Sequence, residues 1–260
     1  MYKPTNSINM TNAELPQIRL GLQGPAASGK TWAATTFPNP VCMDIDNGLT
    51  AHRGRDILRV PFYDPTFIRQ LCPNSKVTDP PNRRDAVRFW LRDEGNKLEP
   101  DQTLVVDSWT TLQNAFDQQT ELEPVRTRQG LVDEYAFWAR KIDYSRDIME
   151  LLMGLRCHVV VCFHEISQRD PRTGLLLEKL QPLMQGKFVA QLKVYFTDFF
   201  RQHAIGKLDE QKQVREINGK KLTEDTTYMW QIKSDAIFDA KTRMNRPEIV
   251  IPASFSSFTY

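Results

Sequence analysis

Long hydrophobic runs and cysteines are both scarce in this chain of 260 residues. No apolar run approaches the roughly 18–20 residues that a membrane-spanning helix needs, so the sequence predicts no membrane association. The first residues lack the apolar stretch of a secretory signal, and we expect a cytoplasmic protein. The four cysteines have no disulfide-like spacing, which favours reduced thiols.

One short stretch, residues 157–164 (CHVVVCFH), contains the residue types of a metal site. Side chains alternate between the two faces of a strand, so Cys157 is expected to point away from His158, Cys162 and His164. The spacing also differs from that of zinc sites. The pattern therefore indicates buried strand cysteines.

An excess of charge of either sign is also lacking. Lysine and arginine total 34 and aspartate and glutamate total 32, for a net charge of +2. This balance argues neither for nor against a nucleic-acid partner, and any basic surface must be local.

What the sequence does contain is an alternation of short apolar runs and helical patterns. The predicted strands are 17–23, 41–45, 57–60, 103–106 and 159–163, and the predicted helices are 30–36, 84–97, 110–122 and 133–155. Strands that are apolar on both faces predict a mostly parallel sheet with helices on both sides, an α/β fold. Near the C-terminus, runs at 199–205 and 227–233 flank Asn218-Gly219, a hairpin signal that predicts antiparallel edge strands. We expect an extended arm at 1–16, one core at 17–250 and a tail at 251–260.

The strongest motif is GPAASGKT, which fits the phosphate-binding template G-x-x-x-x-G-K-[ST] between a predicted strand and a predicted helix. Main-chain N–H groups in such a loop form an anion cradle. The residues predicted to bind a nucleotide are Gly24, Pro25, Ala26, Ala27, Ser28, Gly29, Lys30 and Thr31. Lys30 is expected to reach the β- and γ-phosphates, and the Thr31 hydroxyl to ligate Mg²⁺.

Carboxylates at the ends of neighbouring strands complete the predicted site. Asp107 ends the apolar run LVVD and is the preferred candidate to support Mg²⁺. Asp46 follows the second strand and is the candidate base that activates water, although a turn-capping acid is the alternative. Asp44 is expected to face the other side of the sheet. His164 ends a strand and is a candidate γ-phosphate sensor or an ordinary strand-end histidine.

The order of GPAASGKT, DIDNG, LVVDS and VVVCFHE resembles the RecA-like recombinase ATPases, above all the short phage nucleotide-binding proteins of AAA type that include single-strand annealing ATPases. The resemblance covers about residues 17 to 245. It implies a RecA-like P-loop core that uses ATP and Mg²⁺ and hydrolyses ATP under stimulation by DNA. It also implies single-stranded DNA as a partner in phage-type recombination, annealing or replication, with a single-strand DNA-binding protein as a further candidate partner.

The same resemblance implies roles for individual residues. Asp46 occupies the catalytic-carboxylate position, which is usually Glu, and His164 occupies the γ-phosphate switch position. The loop at 165–174 corresponds to a DNA-binding loop with Arg169 and Arg172. A second DNA loop precedes the long helix, where this chain has Arg126 and Arg128.

Lys241-Thr242-Arg243 resembles the K-x-R finger that reaches a neighbouring subunit's γ-phosphate. The resemblance implies catalytic roles for Lys241 and Arg243 and a homo-oligomer, either a ring or a filament. A solvated basic turn is the alternative. Two other functions stay open: a nucleotide or small-molecule kinase, and a nucleotide-switched assembly module with slow hydrolysis.

Overall fold

The computed structural model describes residues 17–52, 54–73, 82–122, 124–167, 172–173, 179–184, 188–206, 216–217, 220–221 and 226–258. The strands are Arg19–Gly24 (β1), Pro40–Asp44 (β2), Leu58–Val60 (β3), Thr103–Asp107 (β4), His158–Ile166 (β5), Gln181–Pro182 (β6), Asp198–Gly206 (β7), Glu216–Ile217 (β8), Lys220–Lys221 (β9), Thr226–Gln231 (β10) and Val250–Pro252 (β11). The α-helices are Lys30–Ala34 (α1), Pro65–Leu71 (α2), Arg83–Asp93 (α3), Trp109–Leu122 (α4), Glu134–Met153 (α5) and Phe188–Leu192 (α6). Short 3-10 helices lie at Gly48–His52, Gly95–Lys97, Lys193–Tyr195 and Phe255–Ser257.

Nine of the described strands form one sheet. Eight of them follow the order β11-β10-β7-β1-β5-β4-β2-β3, and β6 pairs with β5. The pairs from β7 through β1, β5, β4 and β2 to β3 are parallel, whereas β10 and β11 are antiparallel additions beyond β7. The mostly parallel sheet with antiparallel strands near the C-terminus is therefore confirmed. Strand β5 lies between β1 and β4, so the phosphate loop and Asp107 follow strands that are not direct neighbours.

Apolar side chains cover both faces of the sheet and form two cores. On one face, helices α2 to α6 pack on the strands through Ile68, Trp90, Phe116, Met149, Leu152 and Phe188. On the other face, α1 contributes Ala33 and Ala34 to a core with Leu20, Leu22, Val105 and Val160. Cys157 lies in the first core and Cys162 in the second, which confirms that they point to opposite faces. All four cysteines are buried and free.

The chain after residue 250, predicted to be a tail, continues the sheet. Val250–Pro252 pairs antiparallel with β10. Phe258 then packs between Phe37, Phe200 and Trp230, with ring centroids 5.5 to 5.8 Å away. These contacts close the second core, on the face that α1 covers only in part.

Element ends differ from the prediction where a local contact overrides the apolar pattern. Helix α3 ends at Asp93, and Gly95–Lys97 forms a 3-10 turn because glycine disfavours helix continuation. Strand β5 runs three residues past Phe163 because Glu165 and Ile166 pair with β6. Helix α5 begins at Glu134 because the Asp133 side chain accepts a hydrogen bond from the N–H of Ala136.

The predicted hairpin turn Asn218-Gly219 and the predicted arm at 1–16 lie outside the described residues. The residues that flank the turn, Glu216–Ile217 and Lys220–Lys221, pair antiparallel as a hairpin requires. Within the described ranges, no helix is long and apolar enough to cross a membrane.

Candidate nucleotide-binding site

The loop between β1 and α1 has a backbone that only glycine permits at two points. A Cβ atom at Gly24 would lie 2.7 Å from the main-chain oxygen of Gln202. At Gly29, where φ is +82°, a Cβ atom would lie 2.4 Å from the ring of Tyr228. Both fixed glycines of the motif are thus required by local packing, and the second also by its left-handed conformation.

The loop residues Pro25, Ala26 and Ala27 are exposed, whereas Ser28 is buried. The Ser28 hydroxyl has no hydrogen-bond partner among the described residues, although it lies in the wall of the pocket. A buried hydroxyl without a partner is costly, and an anion in the pocket would satisfy it. This orphaned group fits a phosphate ligand.

Lys30 is the buried cation of the site, with only 6% of its surface exposed. Its ammonium donates hydrogen bonds to the main-chain oxygens of Gly24 at 2.9 Å and Pro25 at 2.7 Å. Burial lowers its pKa, and the nearby Asp107 is among the groups that oppose this effect. A triphosphate in the pocket would offer this ammonium charged oxygens in place of neutral carbonyls.

Thr31 and Asp107 meet across the pocket. The Thr31 hydroxyl donates to Asp107 Oδ2 at 2.7 Å. Burial raises the pKa of Asp107 to about 6, opposed by the Thr31 hydrogen bond. The described residues contain no group of three or more His, Cys, Asp or Glu side chains that could hold a metal ion alone. A hydroxyl and a carboxylate fit Mg²⁺, which usually takes only one or two protein ligands and completes its shell with phosphate oxygens and water.

Asp46 also lines the pocket, on the turn that follows β2. Partial burial raises the pKa of its carboxyl group, and the charge of Asp44 adds to this effect. The Ser108 hydroxyl donates to Asp46 Oδ2 at 3.4 Å. The structure therefore brings Asp46 to the same pocket as Lys30 and Thr31.

The turn that carries Asp46 is held in place by Asp44 and Arg59. Asp44 is fully buried, forms an ion pair with Arg59 at 2.6 Å and accepts the N–H of Gly48 at 3.0 Å. Arg59 also donates to the Asn47 side chain. The expectation that Asp44 faces the other side of the sheet is wrong. Its strand neighbour Cys42 packs in the core beneath α1, so alternation places Asp44 on that same face.

His164 lines the pocket. Its main-chain N–H donates to the Thr110 hydroxyl at 3.1 Å, which fixes the end of β5 beside the start of α4. Burial lowers the pKa of the His164 imidazole, and the Lys30 charge lowers it further. The ring is therefore neutral near pH 7.

Glu165, predicted to begin a DNA-binding loop, is instead part of β5. Both of its carboxylate oxygens accept from Arg201, at 2.6 and 2.9 Å, and Gln23 donates to Glu165 Oε2 at 3.3 Å. The Glu165 side chain is only 7% exposed. This bidentate pair joins β5 to β7 across β1, and no local sequence pattern predicts it.

Three other predicted DNA-binding residues, Arg126, Arg128 and Arg172, do not line the pocket. Arg126 and Arg128 are exposed on the turn between α4 and α5, where Arg126 donates to the main-chain oxygen of Gly130 at 2.8 Å. Arg172 is exposed. Arg169 lies outside the described residues.

The predicted finger residues lie at the amino-terminal edge of the parallel strands, opposite the phosphate loop. Lys241 pairs through its main chain with Phe199, and its ammonium donates to the main-chain oxygens of Lys193 at 3.0 Å and Phe196 at 2.6 Å. Arg243 is exposed, and its main-chain N–H donates to Asp198 at 3.0 Å. Neither residue lines the pocket of its own chain.

The pocket has a volume of about 800 Å³. The motif residues and strand-end side chains form only part of its wall. Sequence reasoning missed the rest, which consists of Trp32, Gly48, His52, Arg55 and Tyr228. Of these, only Trp32 adjoins the motif in sequence. Tyr228 comes close to the pocket because β10 pairs with β7, which lies beside β1 in the sheet.

Comparison with known proteins gives one family. The AAA domain family, AAA_24, matches residues 17–244. No curated protein matches the chain significantly. Among solved structures, the chain is similar to the assembled ATPase EscN from the type III secretion system of enteropathogenic E. coli, at 9% sequence identity and a TM-score of 0.40. That alignment covers 72% of this chain and 43% of the EscN chain, so the chain spans less than half of EscN, and a likeness this distant carries no functional conclusion.

Proposed function

The chain belongs to the AAA domain family, and from that premise we propose that this P-loop ATPase binds ATP with Mg²⁺, hydrolyses it and acts on single-stranded DNA. The observation that carries the ATPase part is the convergence of Lys30, Thr31, Asp46 and Asp107 on one pocket at the end of β1. A phosphate loop alone could bind many anions. A buried cation, a hydroxyl–carboxylate pair and a second carboxylate together match the requirements of phosphoryl transfer to water.

Binding uses the main-chain N–H groups of the loop and the Lys30 ammonium. Lys30 exchanges its two carbonyl partners, Gly24 and Pro25, for oxygens of the β- and γ-phosphates of ATP. Thr31 and Asp107 would hold Mg²⁺, which would supply positive charge against the phosphate oxygens. The Thr31 hydroxyl then no longer needs Asp107 as its hydrogen-bond acceptor.

Hydrolysis requires a water molecule placed in line with the γ-phosphorus. Asp46 accepts a proton from that water as the water oxygen bonds to phosphorus, and the bond to the β–γ bridging oxygen breaks. A raised pKa suits a carboxylate that must take up a proton. The neutral His164 imidazole donates a hydrogen bond to a γ-phosphate oxygen and so reports the state of the nucleotide to the end of β5.

The DNA part of the proposal is supported by the resemblance to RecA-like recombinase ATPases and by the exposure of Arg126, Arg128 and Arg172. Exposed arginines bind phosphates without sequence preference, and such binding weakens as salt rises. We place the protein in phage-type recombination, annealing or replication on the same resemblance.

The proposed function is tested by ATP turnover with and without single-stranded DNA, together with DNA-binding anisotropy between 50 and 300 mM salt. The expected result is stimulated turnover and salt-sensitive binding, which an Arg126→Ala, Arg128→Ala double variant weakens. Turnover that DNA leaves unchanged, with no salt-sensitive binding, would remove the DNA part and leave the ATPase part standing.

A nucleotide-switched assembly module with slow hydrolysis is the second candidate, because Asp46 stands where the resembling family usually has Glu. Asp is one methylene shorter and reaches less far toward a water at the γ-phosphate. We expect Asp46→Glu to raise turnover and Asp46→Asn to abolish it, with nucleotide affinity nearly constant. If turnover of both variants equals that of the wild type, the assignment of Asp46 as the base is wrong.

A further inference from the structure

The wall of the pocket beyond the phosphate loop is aromatic. Trp32 follows directly after Thr31, and Tyr228 extends from β10, with the two ring centroids 5.2 Å apart and the ring planes inclined at 39°. Both rings are half-buried, and both pack against the core beneath α1. Each therefore has one supported side and some surface toward the pocket, a rigid arrangement that loses little entropy when a ligand binds.

Two side chains from the segment after β2 complete this wall. The Arg55 guanidinium carbon lies 5.2 Å from the centre of the Trp32 ring, and Arg55 Nη1 donates to the Thr35 hydroxyl at 2.9 Å. His52 lines the pocket beside it. Burial lowers the pKa of His52, and the Arg55 charge lowers it further, so its imidazole is neutral near pH 7.

The size of the pocket leaves room for a ligand larger than a triphosphate. Its 800 Å³ lies near the upper end of the range for sites that enclose a whole small-molecule ligand. Lys30, Thr31 and Asp107 supply the groups suited to phosphate and metal. The lining residues Trp32, Tyr228, His52 and Arg55 add flat, polarisable surfaces without a carboxylate.

We propose that Trp32, Tyr228 and Arg55 form a base-stacking subsite that holds the nucleobase of the bound nucleotide, an inference that rests on the proposed ATP-binding function. Aromatic rings and a planar guanidinium stack on the face of any base, because every base has a π-face. The His52 imidazole adds a hydrogen-bond donor and an acceptor that can pair with a base edge. Recognition by stacking distinguishes a nucleotide from a bare polyphosphate but discriminates poorly among bases, with purines favoured through their larger area.

Affinity measurements with Mg²⁺ and two probes, ATP and inorganic tripolyphosphate, test this assignment. We expect the wild type to bind ATP at least about tenfold more tightly than tripolyphosphate, since stacking of a base on one aromatic side chain strengthens binding by about that factor. In Trp32→Ala this preference shrinks about tenfold, with the tripolyphosphate affinity kept within about threefold. Among ATP, GTP, CTP and UTP the wild-type affinities are expected to lie within about tenfold of one another.

Two further variants separate stacking from support of the loop. Trp32→Phe keeps a ring and is expected to keep the preference for ATP, while it loses the quenching of tryptophan fluorescence that ATP, but not tripolyphosphate, causes in the wild type. Trp138→Ala removes an exposed tryptophan on α5 that does not line the pocket. This variant is expected to keep both the preference for ATP over tripolyphosphate and the fluorescence quenching that ATP causes.

The possible failures are distinguishable. An unchanged preference for ATP in Trp32→Ala and Tyr228→Ala overturns the stacking subsite and leaves nucleotide binding intact. A parallel loss of ATP and tripolyphosphate affinity also overturns it, because the rings then only support the loop at Gly29. If the wild type binds neither probe, the proposed function itself fails.

Discussion

Lys30 and Lys241 make nearly the same hydrogen bonds at opposite edges of the sheet. Each ammonium donates to two main-chain oxygens, at 2.9 and 2.7 Å for Lys30 and at 3.0 and 2.6 Å for Lys241. Lys30 borders a pocket of about 800 Å³ shared with Asp46 and Asp107, whereas Lys241 ties the segment before β7 to the chain that follows β10. The same pair of hydrogen bonds thus accompanies ligand binding at Lys30 and structural support at Lys241. The role of each lysine depends on whether its ammonium also borders a pocket lined by other polar groups.

The largest expected effect is that of removing the Lys30 charge. In Lys30→Met we expect ATP turnover to fall to the uncatalysed background, because the main positive charge on the phosphates is lost. The unfolding temperature is expected to stay close to that of the wild type, since burial of the charged group already costs free energy. Steady-state turnover and thermal unfolding measure the two effects. Near-normal turnover in Lys30→Met would contradict the assignment of Lys30 to phosphate binding.

The next effect tests whether Arg243 completes a neighbouring site. In Arg243→Ala we expect turnover to fall by about 10³-fold, the scale of an arginine finger, with nucleotide affinity of the dilute protein unchanged. Mixing this variant with Lys30→Met is then expected to restore turnover, because a site with an intact Lys30 gains Arg243 from its neighbour. Two inactive variants that stay inactive when mixed, in an assembly shown by mass measurement to contain both, would refute action in trans.

A smaller effect distinguishes Lys241 as an architectural residue. Lys241→Met leaves the main-chain oxygens of Lys193 and Phe196 without their donor, which is expected to cost about 1–3 kcal/mol of unfolding free energy. Urea unfolding measures the loss, and Lys97→Met serves as a control that removes an exposed ammonium paired only with the surface carboxylate of Glu94. If Lys241→Met retains full stability while turnover collapses, the interpretation of Lys241 as mainly architectural is wrong.

Asp107 also makes the stability of the folded chain depend on pH. Asp107 has its pKa raised to about 6 in the folded chain, so the folded state binds this proton more tightly than the unfolded state does. The stability it contributes is complete below about pH 4 and is lost as pH rises through about 6. Without nucleotide, the unfolding free energy of the wild type relative to Asp107→Asn is expected to decrease over that window. A difference that increases with pH would contradict the shift.

Much of the site was predictable because its parts are adjacent in sequence. The run from Gly24 to Thr31 carries its own context of strand, turn and helix, and Asp107 follows a run of apolar residues whose end a parallel sheet exposes. The pairing of Glu165 with Arg201 and the reach of Tyr228 over Gly29 join residues 36 and 199 positions apart. Such contacts depend on strand order, which the apolar pattern does not encode.

The error about Asp44 has a different physical cause. Side chains two residues apart in a strand share a face, so Asp44 lies with Cys42 beneath α1 and does not face the other side of the sheet. The ion pair with Arg59 then fixes Asp44 as a support for the turn, and Asp46 is left facing the pocket. Alternation counted from the buried neighbour Cys42 therefore gives the correct face for Asp44.

The central claim is that the pocket at the end of β1 holds Mg²⁺ and ATP through Lys30. Isothermal titration of the purified protein with ATP in excess Mg²⁺ tests it most directly, with Lys30→Met as the paired sample. The account predicts saturable binding of one nucleotide per chain in the wild type and a loss of at least about a hundredfold in affinity in the variant. Absence of saturable heat in the wild type, or equal affinity in both proteins, would contradict the account.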